Sequence, residues 1–328
     1  MNFYPKKILI IQTAFIGDAI LATSVAEELH HTFPDAQIFM LVKKGNESLF
    51  DRHPFLKIWT HDKSRKYYSL LRLIKTIRKE KFDVVINLHR YLSSNILTLL
   101  SNARFTAGFQ SPLSFMFSHR VLHHFKKDYH EIHRYHDLTF PITRQEKIFL
   151  PKLYPSIELP KDFLPQKKYV CFFPGSVWAT KQLPPDKWIA LARRFSNDVE
   201  IYLCGSKTES SLCEYIKNKS ERNNVFNIAG QYSLFETMSI VRQSQRVYTN
   251  DSAPLHIASA LNIPVTAFFC STVKDFGFYP LSEDSEVLEV ENLDCRPCGI
   301  HGKKQCPKHH FRCGLEIDIH KAKVIDKH

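Results

Sequence analysis

The sequence contains no apolar run of about 18 residues or more, the length a membrane-crossing helix needs. It has no low-complexity tract and no short repeat, which excludes fibrous and solenoid architectures. Glycine is sparse, 10 residues in all. The turn after the first apolar strand has only Gly17, where a dinucleotide fold uses three glycines so that backbone can approach a pyrophosphate. A nicotinamide-dependent oxidoreductase is therefore disfavoured. The opening MNFYPKKILIIQTAFIGDAIL has one short strand-like block in place of the charged, long apolar and small-residue regions of a secretory signal, so a cytoplasmic protein is expected.

The composition is that of an ordinary folded chain. Hydrophobic residues make up 44% and charged residues 24% of 328, which argues against disorder and allows about two domains. Charge is unbalanced: 45 Lys and Arg face 33 Asp and Glu, a formal net charge of +12. That excess points to an acidic partner, whether nucleic acid, anionic lipid or a phosphorylated substrate, and does not choose among them.

Short β-branched and aromatic runs alternate with amphipathic ones. KKILIIQ, AQIFMLV, FLKIWT, FDVVINL and RFTAGF read as strands in the first half; YVCFFPG, VEIYLCG, VFNIAG, RVYTN, PVTAFFC and EVLEV follow in the second. Between residues 64 and 80, Leu70, Leu71, Ile74 and Ile77 are expected to share a helix face. This alternation predicts an α/β fold of parallel sheets covered by helices. Pro151, Pro155, Pro160 and Pro165 fall within residues 144–168 and mark a domain boundary. Two doubly wound domains, 1–155 and 156–328, would then face a cleft at the carboxyl ends of their strands. The last helix is expected to pack back on the first domain.

Three strand ends carry candidate chemistry. Asp18 follows the first strand at a helix start; it either complements the helix dipole or serves as a general base for an attacking hydroxyl. In FFPGSVWATKQLP, Pro174-Gly175-Ser176 turns the chain and Lys181 can reach a phosphate as a flexible point charge. Thr180 is a hydroxyl donor to the same anion or an ordinary loop residue. In RVYTNDSAPLHIASAL a strand ends at Thr249-Asn250-Asp251 and a helix begins near Ser252. Its first amides make an anion site, Asp251 or Ser252 can cap it, and His256 lies one turn in.

FIGDAIL, PGSVWATKQLP, GSKTES, GQYSLFE, TNDSAPLHIASAL and CRPCGIHGKKQCPKHHFRC occur in this order over nearly the whole chain. Together they resemble the ADP-heptose:lipopolysaccharide heptosyltransferases, glycosyltransferase family 9, the heptosyltransferase II type in particular. The resemblance implies a GT-B architecture with the acceptor on the N-terminal domain and the ADP-sugar on the C-terminal one. It implies metal-independent, inverting transfer of heptose from ADP-heptose to phosphorylated lipid A-core, by a cytoplasmic enzyme peripheral on the inner membrane and without nucleic acid. Asp18 would be the base; Thr180, Lys181, Asp251, Ser252, Ala253 and His256 would hold the donor diphosphate, Glu209 the ribose and Tyr232 the adenine. One departure stands out: the family's Asp-Ser-Gly is here Asp251-Ser252-Ala253-Pro254, and Pro254 removes an amide donor. Two other readings remain: another family 9 transferase with a different donor or acceptor, and a non-catalytic basic module that binds polyanions.

Eight cysteines are unevenly placed. Cys171, Cys204, Cys213 and Cys270 read as buried thiols. Cys295, Cys298, Cys306 and Cys313 have a loose zinc-like spacing, although packed reduced thiols are favoured and a cytosolic disulfide is not. His130, His133 and His136 only weakly suggest a metal; with Lys126, Lys127 and Arg134 they are read as a basic, acceptor-facing or solvated surface. Arg65, Lys66, Lys75, Arg78, Lys79 and Lys81 form another basic group suited to a membrane surface.

Overall fold

Residues 4–325, apart from 63 and 65, are described in a computed structural model. Arg65 and the side chain of Lys66 thus lie outside the described residues. The chain divides into two units, Met1–Tyr154 and Pro155–His328.

The first unit is built on six parallel strands, β1 (Lys7–Gln12), β2 (Gln37–Lys43), β3 (Leu56–His61), β4 (Val84–Asn87), β5 (Phe105–Phe109) and β6 (His119–Val121), in the order β3-β2-β1-β4-β5-β6. Its helices are α1 (Ile16–Leu21), α2 (Thr23–Thr32), α3 (Lys66–Glu80), α4 (Leu92–Leu99) and α5 (Glu131–Thr143). Helix α2 packs with α5, and α3 with α4. Strands covered on both faces need apolar residues on both, which is why KILIIQ is buried almost throughout. On one face Leu9, Ile11, Leu41 and Val85 meet Leu70, Leu73, Ile74 and Ile77 of α3. Leu73 takes the place expected for Leu71, which is largely exposed. Positions 70, 73, 74 and 77 follow the i, i+3, i+4, i+7 spacing of one helical face, and 71 is turned about 100° from 70. The three-residue β6 has no apolar run to announce it.

The second unit repeats the scheme. Its strands are β7 (Lys168–Phe173), β8 (Val199–Leu203), β9 (Val225–Asn227), β10 (Val247–Asn250), β11 (Val265–Phe269) and β12 (Ser285–Glu289), ordered β12-β11-β10-β7-β8-β9. Read from the other edge this is the order of the first sheet, so both units are doubly wound. The helices are α6 (Pro185–Arg193), α7 (Ser210–Ser220), α8 (Leu234–Gln243), α9 (Ala253–Leu261) and α10 (Arg312–Leu315). Trp188 of α6, fully buried, packs on Phe172 and Phe268 in this unit's core. The expected final helix is the single turn α10. Cys313, Ile317, Ile319 and Ala322 place their apolar side chains in the core of this second unit. Among the described residues no helix is long and apolar enough to cross a membrane.

Candidate active site

In a doubly wound sheet ligands bind beyond the strand carboxyl ends, at the point where strand order reverses. In the second unit that point lies between β7 and β10, which pair in parallel. The buried Asn250 ends β10 and ties the two strand exits together. Its Nδ2 donates to the carbonyls of Pro174 (2.8 Å) and Gly175 (3.2 Å), and its Oδ1 accepts from Leu183 N–H (2.9 Å).

A 3-10 turn at Ala179–Lys181 then delivers Lys181 to the start of α9. Its Nζ pairs with Asp251 Oδ2 at 2.6 Å and donates to the Asp251 carbonyl at 3.3 Å. Thr272 Oγ1 donates to the same carboxylate oxygen at 2.6 Å. Both partners of the pair are largely buried, at 14% and 8% side-chain exposure, so the ammonium is fixed in place rather than free in solvent. Ser252 occupies the N-cap position of α9 but makes no side-chain cap bond; its Oγ lies 3.4 Å from the Asn250 carbonyl. Leu255 N–H bonds to the Ser252 carbonyl and Pro254 has no N–H. Among the first-turn amides, those of Ser252 and Ala253 are left to serve an anion.

His256 is buried one turn into α9, and among the described residues its Nδ1 finds no hydrogen-bond partner. Burial chiefly lowers its pKa from 6.5 to about 4, with Asp251 opposing and Lys181 reinforcing the shift. The imidazole is thus neutral near neutral pH. Because the folded value lies below the unfolded one, acid protonates the unfolded chain first, and stability present above pH 6.5 is lost as pH falls toward 4. The loss from this group is on the order of 3 kcal/mol. Urea melts at the two ends of that window should show a smaller acid loss for His256→Gln than for the parent.

Glu209 sits where the β7 and β8 exits meet. Its Oε2 accepts from Ser206 N–H (2.7 Å) and Ser206 Oγ (2.8 Å). A Cβ on Gly175 would stand 1.8 Å from Glu209 Oε1, and one on Gly205 2.9 Å from Oε2. These glycines leave room for a carboxylate. Gly175→Ala should therefore displace Glu209 with little loss of stability, since only a side-chain end must move. If Glu209 holds the donor, its KM should rise about tenfold, the scale of a hydrogen bond to a charged group, as for Glu209→Gln; steady-state kinetics and a thermal melt check both parts.

The neighbouring loop is seated by Gly230, at φ +76°, where a Cβ would meet the Lys207 backbone at 2.6 Å. Tyr232 follows, half-buried and edge-on to Phe163 with centroids 5.8 Å apart. Burial raises its hydroxyl pKa. Thr180 is buried: its Oγ1 accepts from Lys303 N–H (2.8 Å) and shares a hydrogen bond with Ser271 Oγ (3.0 Å). Its hydroxyl is spent within the protein.

In the first unit the order reverses between β1 and β4, and Asp18 lies just beyond β1. It is half-buried in α1 and accepts from Phe15 N–H at 3.3 Å, so the helix-start role is met. Gln12, buried at the end of β1, shapes this turn: Oε1 accepts from Ala14 N–H (3.2 Å) and Nε2 donates to Tyr135 Oη (3.0 Å). Burial first, then the charges of Glu131 and Asp18, hold the Tyr135 hydroxyl well above its ordinary pKa. The phenol stays neutral beside the carboxylate.

Cys171, Cys204, Cys213 and Cys270 are buried free thiols. Cys295, Cys298 and Cys306 are half-buried and Cys313 is buried, all unbridged. Among the described residues no three His, Cys, Asp or Glu side chains are gathered to hold a metal. The histidine-rich stretch needs correction. Arg134, expected at the surface, is buried and pairs with Glu131 at 2.5 Å. His130 is also buried, its Nδ1 accepting from Ile132 N–H, and His136 pairs with Glu28 at 3.0 Å. A charge that finds a buried partner can leave the surface. Lys126 and Lys127 remain exposed.

The family model Glycosyltransferase family 9 (heptosyltransferase) matches residues 70–310. The chain is 24% identical to the lipopolysaccharide core heptosyltransferase OpsX of Haemophilus influenzae, over 88% of this chain and 83% of that protein. It is also 24% identical to lipooligosaccharide heptosyltransferase 2 of Campylobacter jejuni, over 98% and 97%. The structure of Escherichia coli ADP-heptose lps heptosyltransferase II aligns with a TM-score of 0.74 at 20% identity, covering 89% of this chain and 95% of that one.

Proposed function

The chain belongs to glycosyltransferase family 9, and on that premise we propose that it transfers L-glycero-D-manno-heptose from ADP-heptose to the lipopolysaccharide inner core, as a heptosyltransferase II-type enzyme. The observation that carries this reading is the Lys181–Asp251 pair set at the N-terminus of α9, at the order reversal of the second sheet. A fixed ammonium, two helix amides and a neutral imidazole form a cradle for a leaving diphosphate. Glu209, in its glycine-lined recess, supplies acceptors for the ribose hydroxyls, and Tyr232 lines the adenine side.

In the proposed reaction an acceptor hydroxyl oxygen attacks the anomeric carbon and its proton passes to Asp18. The bond from that carbon to the β-phosphate oxygen breaks, ADP leaves with the electron pair, and the configuration inverts. Negative charge grows on the diphosphate, where preorganised donors act most strongly. Asp251 keeps Lys181 aimed, and Thr180 ties the lysine turn to the segment around Lys303.

The first unit supports an amphiphilic, phosphorylated acceptor. Phe15, Tyr91, Leu92, Phe115, Met116 and Leu122 are exposed in the segments that follow β1, β4, β5 and β6, which are neighbours in the sheet. Exposed Arg90, Lys126 and Lys127 accompany them. An apolar rim with cations suits a glycolipid at the cytoplasmic face of the inner membrane. The Ala253-Pro254 departure favours keeping a second reading, another donor sugar or acceptor within the family. A panel of ADP-sugars and UDP-sugars offered with a defined core acceptor separates the two. Preference for ADP-heptose supports the first, and preference for another donor overturns it.

A further inference from the structure

The cysteine-bearing segment 295–313 has no part in the reaction as described, yet it is built against the donor cradle. Arg296 anchors its start: Nε donates to the Cys270 carbonyl (2.7 Å), Nη2 to those of Phe269 (3.1 Å) and Thr272 (2.5 Å), and the guanidinium pairs with Glu289. Cys298 N–H bonds to the Ser271 carbonyl at 3.0 Å. The segment is thereby fixed to the exit of β11, beside Asp251's partner Thr272.

Its tip then closes on the lysine turn. Lys303 and Thr180 bond reciprocally, Thr180 N–H to the Lys303 carbonyl (3.1 Å) and Lys303 N–H to Thr180 Oγ1 (2.8 Å). Gly302, at φ +77°, lies so close that a Cβ would meet Trp178 Cβ at 3.0 Å and Lys181 Cγ at 3.1 Å. Only glycine allows that approach in a left-handed conformation. Lys303 and Lys304 emerge from this seam exposed, and among the described residues neither makes an ion pair.

The charge balance of the cradle shows what they are for. Lys181 is already paired with Asp251 and His256 is neutral at neutral pH, so the pair and the imidazole together bring no net positive charge. A nucleoside diphosphate carries roughly two or more negative charges, and phosphate neutralisation by Lys and Arg is a main source of affinity for such anions. We propose that Lys303, carried on the Gly302 turn, is a second cation for the diphosphate of the donor, and that segment 295–313 serves to place it. This rests on the donor-site reading above.

Calorimetric titration of the whole chain with ADP, and with adenosine as a phosphate-free control, tests it. Lys303→Gln should weaken ADP binding about tenfold, the scale of one charge-assisted contact, and leave adenosine affinity and the melting temperature unchanged. Lys303→Arg should largely restore ADP binding. Gly302→Val, which forces the tip off the lysine turn, should weaken ADP as Lys303→Gln does. Undiminished ADP affinity in Lys303→Gln, or a loss confined to Lys304→Gln, overturns the assignment while leaving the donor site intact. Failure of the parent chain to bind ADP at all overturns the donor-site reading and this inference with it.

Discussion

Asp18→Asn is expected to lower kcat for heptosyl transfer by about a thousandfold, within the range of general-base contributions, with ADP affinity unchanged. The substitution separates two roles of one side chain. As a helix-start residue Asp18 accepts from Phe15 N–H, and an asparagine oxygen accepts equally well, so the fold should be kept. As a base it must take a proton, which an amide cannot do. If the carboxylate serves only the helix, kcat will stay within a few fold. Asp18→Ala, which loses both roles, should add a stability loss of about 1 kcal/mol, typical of a missing helix-terminal bond. Comparing the two variants in a thermal melt and in steady-state turnover apportions the effect.

Lys181→Met should reduce kcat/KM by a factor of about 100 to 1000, since one preorganised donor to developing charge is worth on the order of 3 kcal/mol. It should also destabilise the fold, because Asp251 is buried and among the described residues would keep only Thr272 as a side-chain hydrogen-bond partner. Breaking a buried pair by removing one member costs about 3–5 kcal/mol. The double variant Lys181→Met/Asp251→Asn removes the stranded charge, so its melting temperature should recover while its activity should not. Recovery of both would show that the lysine acts only on stability. Lys181→Arg keeps the charge but not its compact shape, and should recover activity only in part.

The two sheets were readable from the sequence because parallel strands covered on both faces must be apolar nearly throughout, as KILIIQ and VTAFF are. The strand ends were readable for the same reason: Asp18, Lys181 and Asp251 each follow an abrupt end of such a run. What escaped was the polar packing beneath those ends. Gln12, Asn87 and Asn250 are the last residues of β1, β4 and β10, each at most 1% exposed. Gln12 and Asn87 fold the chain back by accepting from Ala14 and His89 N–H, while Asn250 joins the β7 and β10 exits. The signal was present as an amide closing an apolar strand, but the partners of Asn250 and the Tyr135 contact of Gln12 lie 67 to 123 residues away and no spacing encodes them.

The same limit hid the recess for Glu209, which depends on Gly175 at the end of another strand, and the seam between Thr180 and Lys303, 123 residues apart. Arg134 was misplaced because a cation among lysines and histidines looks solvated until its buried carboxylate is known. The cysteine spacing favoured packed reduced thiols over a metal site, but it carried no sign that Cys313 enters an apolar core or that Arg296 fixes the segment.

The most direct measurement is mass spectrometry of the product formed from ADP-heptose and a defined inner-core acceptor. The expected product is an acceptor one heptose heavier, linked with inverted anomeric configuration, together with an equivalent of ADP, and Asp18→Asn should form no such product at the same enzyme concentration. An unchanged acceptor, or a parent and an Asp18→Asn variant that form product at equal rates, would contradict the proposed reaction.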